Sequence, residues 1–142
     1  MIENFEGFSA NPYCCPGGVP TIGYGATHYG DGRRVKLSDP PIANAAADAL
    51  LKMQLRGYES GLERYLVQEL NQNQFDALVS FAYNMGLGNL KRSTLMRKVN
   101  RNPTDPQISD AFKRWIFADG KLLEGLEKRR AREAELYFTP CA

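Results

Sequence analysis

A segment rich in glycine and tyrosine, residues 11–30, most constrains the fold, because it interrupts the helical periodicity found along the rest of the chain. A Pro-Gly-Gly turn precedes the apolar run Val19–Gly25, which is typical of a strand. Thr27–Tyr29 and Arg33–Leu37 predict further strands on either side of the turn signal Asp31-Gly32. Such a small antiparallel sheet, of two or three strands, is not stable alone, so it must pack against helices.

Most of the remaining chain carries an apolar residue every three or four positions, the pattern of amphipathic helices. Residues 1–8 predict one or two helical turns, about 43–68 a long linking helix, and about 71–138 a helical lobe. Together with a small β lobe at about 11–37, this organisation predicts one α+β domain over residues 1–142. Pockets favour junctions between lobes, so we expect the ligand site in a cleft between the two lobes.

Local signals refine the helix boundaries. Ser38 and Asp39, followed by two prolines, predict a helix start. Asn71, with Gln74 three residues on, predicts a capping box at the start of another helix. Near the C-terminus, the arginines at positions 129, 130 and 132 alternate with glutamates, which favours a salt-bridged helix face over a nucleic-acid site.

Composition and charge exclude several classes of protein. The chain has 142 residues, 43% of them hydrophobic, which is enough for a core without disulfides or metal. Residues 1–70 carry 6 Lys/Arg against 8 Asp/Glu, and residues 71–142 carry 12 against 8, so the C-terminal half is basic. The basic charge of this half could favour binding to an anionic polymer, or it could simply lie on solvated helices. Neither a membrane span of 18 apolar residues nor an export signal is encoded.

Metal and cofactor sites are not predicted. The chain has one histidine and no spaced Cys/His cluster, which argues against a metal centre. Gly23-Tyr24-Gly25 lacks the third glycine and the following helix of a phosphate-binding loop. The three cysteines are an odd number, so a free thiol or an intermolecular bond is expected.

One carboxylic acid could serve glycosidic bond cleavage, which needs a proton donor for the leaving oxygen and a second group for water or developing charge. Glu6 lies between Phe5 and Phe8, and burial against apolar groups can keep an acid protonated near neutral pH. Composition alone favours the other interpretation, in which Glu6 is a solvated helix carboxylate.

The spacing around Glu6 resembles a known signature. Cys15 follows nine positions after Glu6, and Thr21 six positions after Cys15, within Cys-Pro-Gly-Gly-Val-Pro-Thr-Ile-Gly-Tyr-Gly. This pattern is similar to that of phage-type lysozymes, the endolysins of glycoside hydrolase family 24. The resemblance extends over essentially the whole chain, through Asn73–Gly86, Ser93–Leu95, Arg114-Trp115 and Gly125–Arg130.

The resemblance implies a lysozyme-like fold and cleavage of the β-1,4 bond between N-acetylmuramic acid and N-acetylglucosamine in peptidoglycan. Glu6 is then the general acid, Thr21 orients water, and Cys15 occupies the place of an aspartate in most relatives. As a thiolate Cys15 could act as base or nucleophile, although an ordinary thiol is mostly protonated at pH 7. Tyr83 and Asn84 match positions that contact the substrate, although Asn84 could equally be structural.

Thr94 matches a further substrate-contact position. The resemblance also implies a monomer that needs no cofactor. Its expected role is to lyse a bacterial host by acting on the cell wall in the periplasm. Some endolysins of this family start with a membrane anchor, and in a subset a disulfide cages the active-site cysteine. Cys14 beside Cys15 suggests such a cage, which would be strained and labile. Two alternatives stay open, a lytic transglycosylase and an inactive cell-wall-binding domain, although the Cys15/Thr21 pair favours hydrolysis.

Overall fold

The computed structural model describes Ile2 and residues 6–14, 18–118 and 120–141. The chain divides into two compact units, Met1–Gly57 and Tyr58–Ala142. The described residues contain six helices and short antiparallel strand pairs, which confirms the predicted α+β class. Of the residues 1–8 predicted as helix, Ile2 and Glu6 have helical backbone, Gly7 and Phe8 do not, and Glu3–Phe5 lie outside the described residues. No helix in the described part of the chain is both long and apolar enough to cross a membrane.

The first unit is built on the antiparallel pair β1 (Ser9–Cys14) and β2 (Pro20–Gly23). Strand β2 confirms the core of the predicted Val19–Gly25 strand. Its partner β1 was not predicted, because Asn and Pro are disfavoured in strands. The register shifts between Ser9 and Tyr13, so an irregularity accommodates these residues within the strand.

The predicted hairpin after β2 forms, but with fewer hydrogen bonds than two full strands would have. Tyr29 N donates to Arg33 O, and Val35 N donates to Thr27 O, both at 2.9 Å. These two bonds form a single isolated bridge between His28 and Arg34. The hairpin closes the small core of this unit, which contains Ile22, Ala26, Val35 and Leu50.

The long helix α1 runs over Asn44–Tyr65, close to the predicted span of about 43–68. The predicted start at Ser38 and Asp39 is wrong. Asp39 instead accepts two hydrogen bonds at 2.8 Å through Oδ2, from Lys36 N and the Tyr29 hydroxyl, and so closes the hairpin. The Lys36 backbone bond first, and the Tyr29 bond second, hold the pKa of the Asp39 carboxyl below its usual range.

The second unit is mainly helical. Its elements after α1 are α2 (Gln72–Met85), α3 (Leu87–Arg92), α4 (Thr94–Arg101), α5 (Ile108–Lys113), β3 (Phe117–Ala118), β4 (Lys121–Leu122) and α6 (Glu124–Tyr137). Helix α2 packs against α6, and α6 packs against α5. Phe112 lies at the centre of this core, with ring centroids 6.1 Å from Phe81 and 5.7 Å from Tyr137.

Local sequence signals set most boundaries in this unit. The predicted capping box is confirmed, because Asn71 Oδ1 accepts from Gln74 N and Gln74 Oε1 accepts from Asn71 N, both at 2.9 Å. Helix α2 ends at Gly86, which has a φ of 94°. The β3–β4 hairpin was not predicted beyond its Asp119-Gly120 turn, because two-residue strands carry no readable alternation. Asp119 lies outside the described residues.

Strand β2 approaches α1 so closely that its last residue must be glycine. Gly23 has a φ of 66°, and a Cβ added there would lie 3.3 Å from Ala47 Cβ. Gly32 has a φ of 86°, but a Cβ there would meet nothing within 4 Å. The two positions therefore separate backbone strain from side-chain crowding.

We expect Gly32→Ala to destabilise the fold by about 1 kcal/mol through positive φ alone. Gly23→Ala should cost about 2 kcal/mol, because the Ala47 backbone must also give way. Urea unfolding followed by circular dichroism measures both. Equal losses in the two variants would contradict the close approach of β2 to α1.

Candidate active site

Glu6 stands where a helical turn leads into the sheet of the first unit. Its backbone is helical and its side chain is half-buried, and β1 begins three residues later. The ring of Phe8 lies 5.7 Å from that of Tyr24, which provides apolar surface beside this junction. The predicted apolar neighbour Phe5 lies outside the described residues. A half-buried carboxyl group that solvent and ligands can still reach is suited to proton transfer.

Thr21 is held rigidly in β2. Its residue is only 3% exposed, and its hydroxyl donates to Val19 O at 2.9 Å. A hydroxyl has one proton to donate and two acceptor lone pairs. Since the proton points to Val19, the oxygen is oriented as an acceptor, for example of a water proton. The register pairs Thr21 with Tyr13, so Thr21 is fixed by both strands.

The cysteines are only partly described. Cys14 ends β1, is exposed, and has its Sγ 4.0 Å from Gly18 O. Cys141 is also exposed, close to the C-terminus. Cys15, the residue expected to replace the aspartate of most relatives, lies outside the described residues, as do Pro16 and Gly17. The roles predicted for Cys15 and for a Cys14–Cys15 disulfide therefore stay predictions.

The three predicted substrate-contact residues lie in the second unit. Tyr83 and Asn84 are neighbours near the end of α2, and Thr94 is the first residue of α4. The ring of Tyr83 meets that of Tyr58 edge-on, with centroids 5.3 Å apart. All three candidates are half-buried, so each keeps some surface for a ligand.

Polar contacts orient two of these side chains. Asn84 Oδ1 accepts from Arg130 Nη2 at 2.8 Å, and Thr94 Oγ1 accepts from Arg97 Nη2 at 3.1 Å. Because the carbonyl of Asn84 is engaged, its amide NH₂ is oriented as the donating end. The structural role considered for Asn84 and a role in substrate contact are therefore compatible.

A buried ionic cluster behind Asn84 was not predicted. Arg129 and Arg130 pair with Glu133, as the predicted salt-bridged face requires, but the three residues are 4%, 0% and 0% exposed, so this face is buried. Arg132 does lie at the surface. The reason is register, because Arg130 falls four residues after Leu126 and four before Ala134, on the apolar face of α6. That spacing was the signal available in the sequence.

The contacts of this cluster join α6 to α2. Glu133 Oε1 lies 2.8 Å from Arg130 Nε, an ion pair whose N–H is not aligned for a hydrogen bond, and Glu133 Oε2 lies 3.3 Å from Arg129 Nε. The Ser80 hydroxyl donates to Glu133, and Arg129 Nη2 donates to Ser80 O at 3.1 Å. The Arg130 guanidinium also stacks 4.8 Å from the centroid of Phe81.

Burial and charge act in opposite directions on Glu133. Desolvation raises the pKa of its carboxyl above the usual range, while the charge of Arg130, the Ser80 hydroxyl and the charge of Arg129 counteract part of that rise. Two guanidiniums buried around one carboxyl depend on it for neutralisation. The cluster should therefore tolerate no single deletion.

Comparison with known proteins agrees with this architecture. A family model described as phage lysozyme matches residues 3–133. The chain is 38% identical to an endolysin of Bacillus phage B103 over 98% of this chain and 51% of that protein. It is 34% identical to a SAR-endolysin of Haemophilus phage HP1, over 96% of this chain and 76% of that protein.

A solved structure extends the likeness to the fold. An endolysin of the Escherichia coli phage FAHEc1 superimposes with a TM-score of 0.86 at 31% identity, covering 96% of this chain and 87% of that one. The chain belongs to the phage lysozyme family. It spans about half the length of the endolysins of Bacillus phages B103 and PZA.

The buried cluster yields a stability test. We expect Glu133→Gln to destabilise the protein by about 3–5 kcal/mol, because it leaves two buried guanidiniums without their carboxylate. Glu124→Gln is the matched control, since the ion pair of Glu124 with Lys128 is exposed, and there the stability should stay close to that of the parent. Guanidinium unfolding monitored by circular dichroism compares the two. Similar losses would mean that the cluster contributes little to the fold.

Proposed function

We propose that this chain is a muramidase, a glycosidase that cleaves the β-1,4 bond between N-acetylmuramic acid and N-acetylglucosamine in peptidoglycan. The observation that carries the proposal is the phage lysozyme family match over residues 3–133, which includes Glu6 and Thr21. The half-buried acid and the oriented hydroxyl support the same chemistry.

In this proposal Glu6 is the general acid. Its carboxyl proton passes to the glycosidic oxygen as the bond from that oxygen to the anomeric carbon of N-acetylmuramic acid breaks. Positive charge then develops on the sugar ring, and the resulting Glu6 carboxylate offsets part of it. One water molecule completes the reaction by adding its oxygen to the anomeric carbon and releasing a proton.

Thr21 and Cys15 are proposed to orient the water molecule and to accept its proton, respectively. Thr21 Oγ1 donates to Val19 O and is therefore oriented to accept a proton from water, which supports a positioning role. Cys15 as a thiolate would take up the released proton, the task of a general base. At pH 7 an ordinary thiol is mostly protonated, whereas an aspartate is ionised. Activity should therefore rise as Cys15 ionises.

Three residues of the second unit are proposed to contact the polysaccharide. Asn84 offers its amide as a donor to sugar oxygens, because Arg130 occupies its carbonyl. Tyr83 offers ring surface, and Thr94 a hydroxyl held by Arg97. No cofactor is required for such a reaction.

We further propose that the chain acts as a monomer on the host cell wall, in the periplasm, and so lyses a bacterium. The names of the relatives support this assignment, since they are endolysins of phages. The likeness to a SAR-endolysin is compatible with a natural form that carries an N-terminal anchor.

The direct test is digestion of purified peptidoglycan followed by mass spectrometry of the products. Wild-type protein should release muropeptides with reducing ends. Glu6→Gln keeps the shape of the side chain but has no proton to give, so its rate should fall by at least about 10²-fold. Glu59→Gln, an exposed glutamate on α1, is the matched control and should retain the rate.

Three other outcomes would contradict this assignment. Anhydro-sugar products would identify a lytic transglycosylase. Binding without any product would indicate an inactive cell-wall-binding domain. An unaltered rate in Glu6→Gln would remove Glu6 from the mechanism.

We also propose that a disulfide of Cys15 with Cys14 or another thiol controls activity. A disulfide removes the thiolate, and a bond between adjacent cysteines would be strained and easily exchanged. Oxidised wild-type protein should therefore gain activity on addition of a thiol reductant. Cys14→Ser should be active without it if Cys14 is the partner, and Cys141→Ser is the control that should stay reductant-dependent.

Free-thiol counts made alongside the activity assay test the cage. Activation should coincide with two newly titratable thiols per chain. If activity ignores the redox state while Glu6→Gln still abolishes it, the cage is wrong but the muramidase assignment stands.

A further inference from the structure

A basic cavity lies in the second unit. It has a volume of about 660 Å³ and is lined by Arg64, Tyr65, Lys91, Met96, Arg97, Asn100 and Arg101. Four of these seven residues are cations and none is acidic. The cavity is far larger than a single water or simple ion requires, and it falls in the size range of ligand sites.

Helix ends explain how the fold tolerates this concentration of charge. Arg64, Lys91 and Arg101 lie in the last turns of α1, α3 and α4. The C-terminal end of a helix carries partial negative charge, which stabilises a cation locally. Because three helices end around one cavity, three such cations gather there, and Arg97 adds a fourth from the body of α4.

Several groups of the basic cavity are held in place. Asn100 Oδ1 accepts from Val67 N, and Asn100 Nδ2 donates to Tyr65 O, both at 2.9 Å. Lys91 Nζ lies 5.3 Å from the centroid of the Tyr65 ring. Part of the wall of the basic cavity is thus held in place before a ligand binds, which reduces the cost of ordering it on binding.

The positive charge is concentrated in one part of the second unit. Between Asp76 and Asp105 the sequence has no carboxylate and five Lys/Arg residues. A second cavity of the same unit, about 530 Å³, is lined by Glu59 and Glu63 and by no Lys or Arg. The two cavities therefore favour ligands of opposite charge.

We propose that the basic cavity binds the phosphodiester groups of an anionic polymer attached to the cell wall. Arginine forks match phosphate oxygens, and four dispersed cations suit a chain of repeated charges better than one small anion. The choice of a wall polymer rests on the proposed function, which brings the protein to the wall, and it requires a host whose peptidoglycan carries a phosphodiester polymer. Binding there would hold the enzyme close to its substrate between cleavage events.

The test is cosedimentation with purified cell-wall sacculi that keep their phosphodiester polymer, compared with the same sacculi after acid has removed it. All proteins carry Glu6→Gln, so that the walls are not digested and binding is measured whether or not the chain is a muramidase. Binding should fall about tenfold or more on stripped walls, and should weaken steeply with added NaCl.

Two variants locate the site. Lys91→Gln with Arg101→Gln should weaken binding to unstripped walls by about tenfold and lower its salt dependence by roughly two counterions. Lys113→Gln with Arg132→Gln removes the same charge from exposed positions outside the basic cavity and should have a smaller effect. Arg64→Gln alone is a second cavity variant, and circular dichroism establishes that each variant is folded.

Other results would overturn the proposal. Equal loss in the cavity and control variants would mean that only net charge matters. Equal binding to stripped walls would exclude the phosphodiester polymer, and stronger binding to DNA or to anionic phospholipid vesicles would assign the basic cavity to another partner. Failure of the wild-type protein to digest peptidoglycan would refute the proposed function and leave the binding result as it stands.

Discussion

The buried carboxyl of Glu133 is the interaction on which the second unit depends. Taking Arg129 and Arg130 out of water, as the packing of α6 against α2 requires, is costly, and Glu133 on the same helix offsets part of that cost. From the α2 side, the Ser80 hydroxyl donates to Glu133 and the Ser80 carbonyl accepts from Arg129. These contacts have strict geometry, unlike apolar packing, so they hold α2 in one position. Helix α2 carries Tyr83 and Asn84, so the cluster also sets the position of both candidate substrate contacts.

The first unit positions its chemistry by backbone geometry. Thr21 is a buried residue of β2, which pairs with β1, and its hydroxyl is oriented by a carbonyl only two residues away. Gly23 then lets the chain turn against Ala47 of α1. A site built on hydrogen-bonded strands is held more tightly than one on a free loop, which suits a residue proposed to orient a water molecule.

Charge is distributed by the way in which the helices end. The second unit has one cavity lined by two glutamates and another lined by four cations. Composition shows that the C-terminal half of the chain is basic, but it allows either an anionic partner or solvated helices. The convergence of three helix ends favours the first of these, because it concentrates the charge around one cavity.

The sequence by itself determined what depends on neighbours along the chain. Local patterns predicted the helical periodicity, the Asn71–Gln74 capping box and the turn at Asp31-Gly32. The spacing of Glu6 and Thr21 is likewise read directly from the sequence. Tertiary structure decided the pairing of β1 despite its Asn-Pro, the burial of Arg130 and the role of Asp39. In each of these cases a contact outside the local pattern decides the outcome: pairing with β2, packing of α6 against α2, or the Tyr29 hydroxyl. Intrinsic propensity is weak beside such contacts, so the partner determines the conformation.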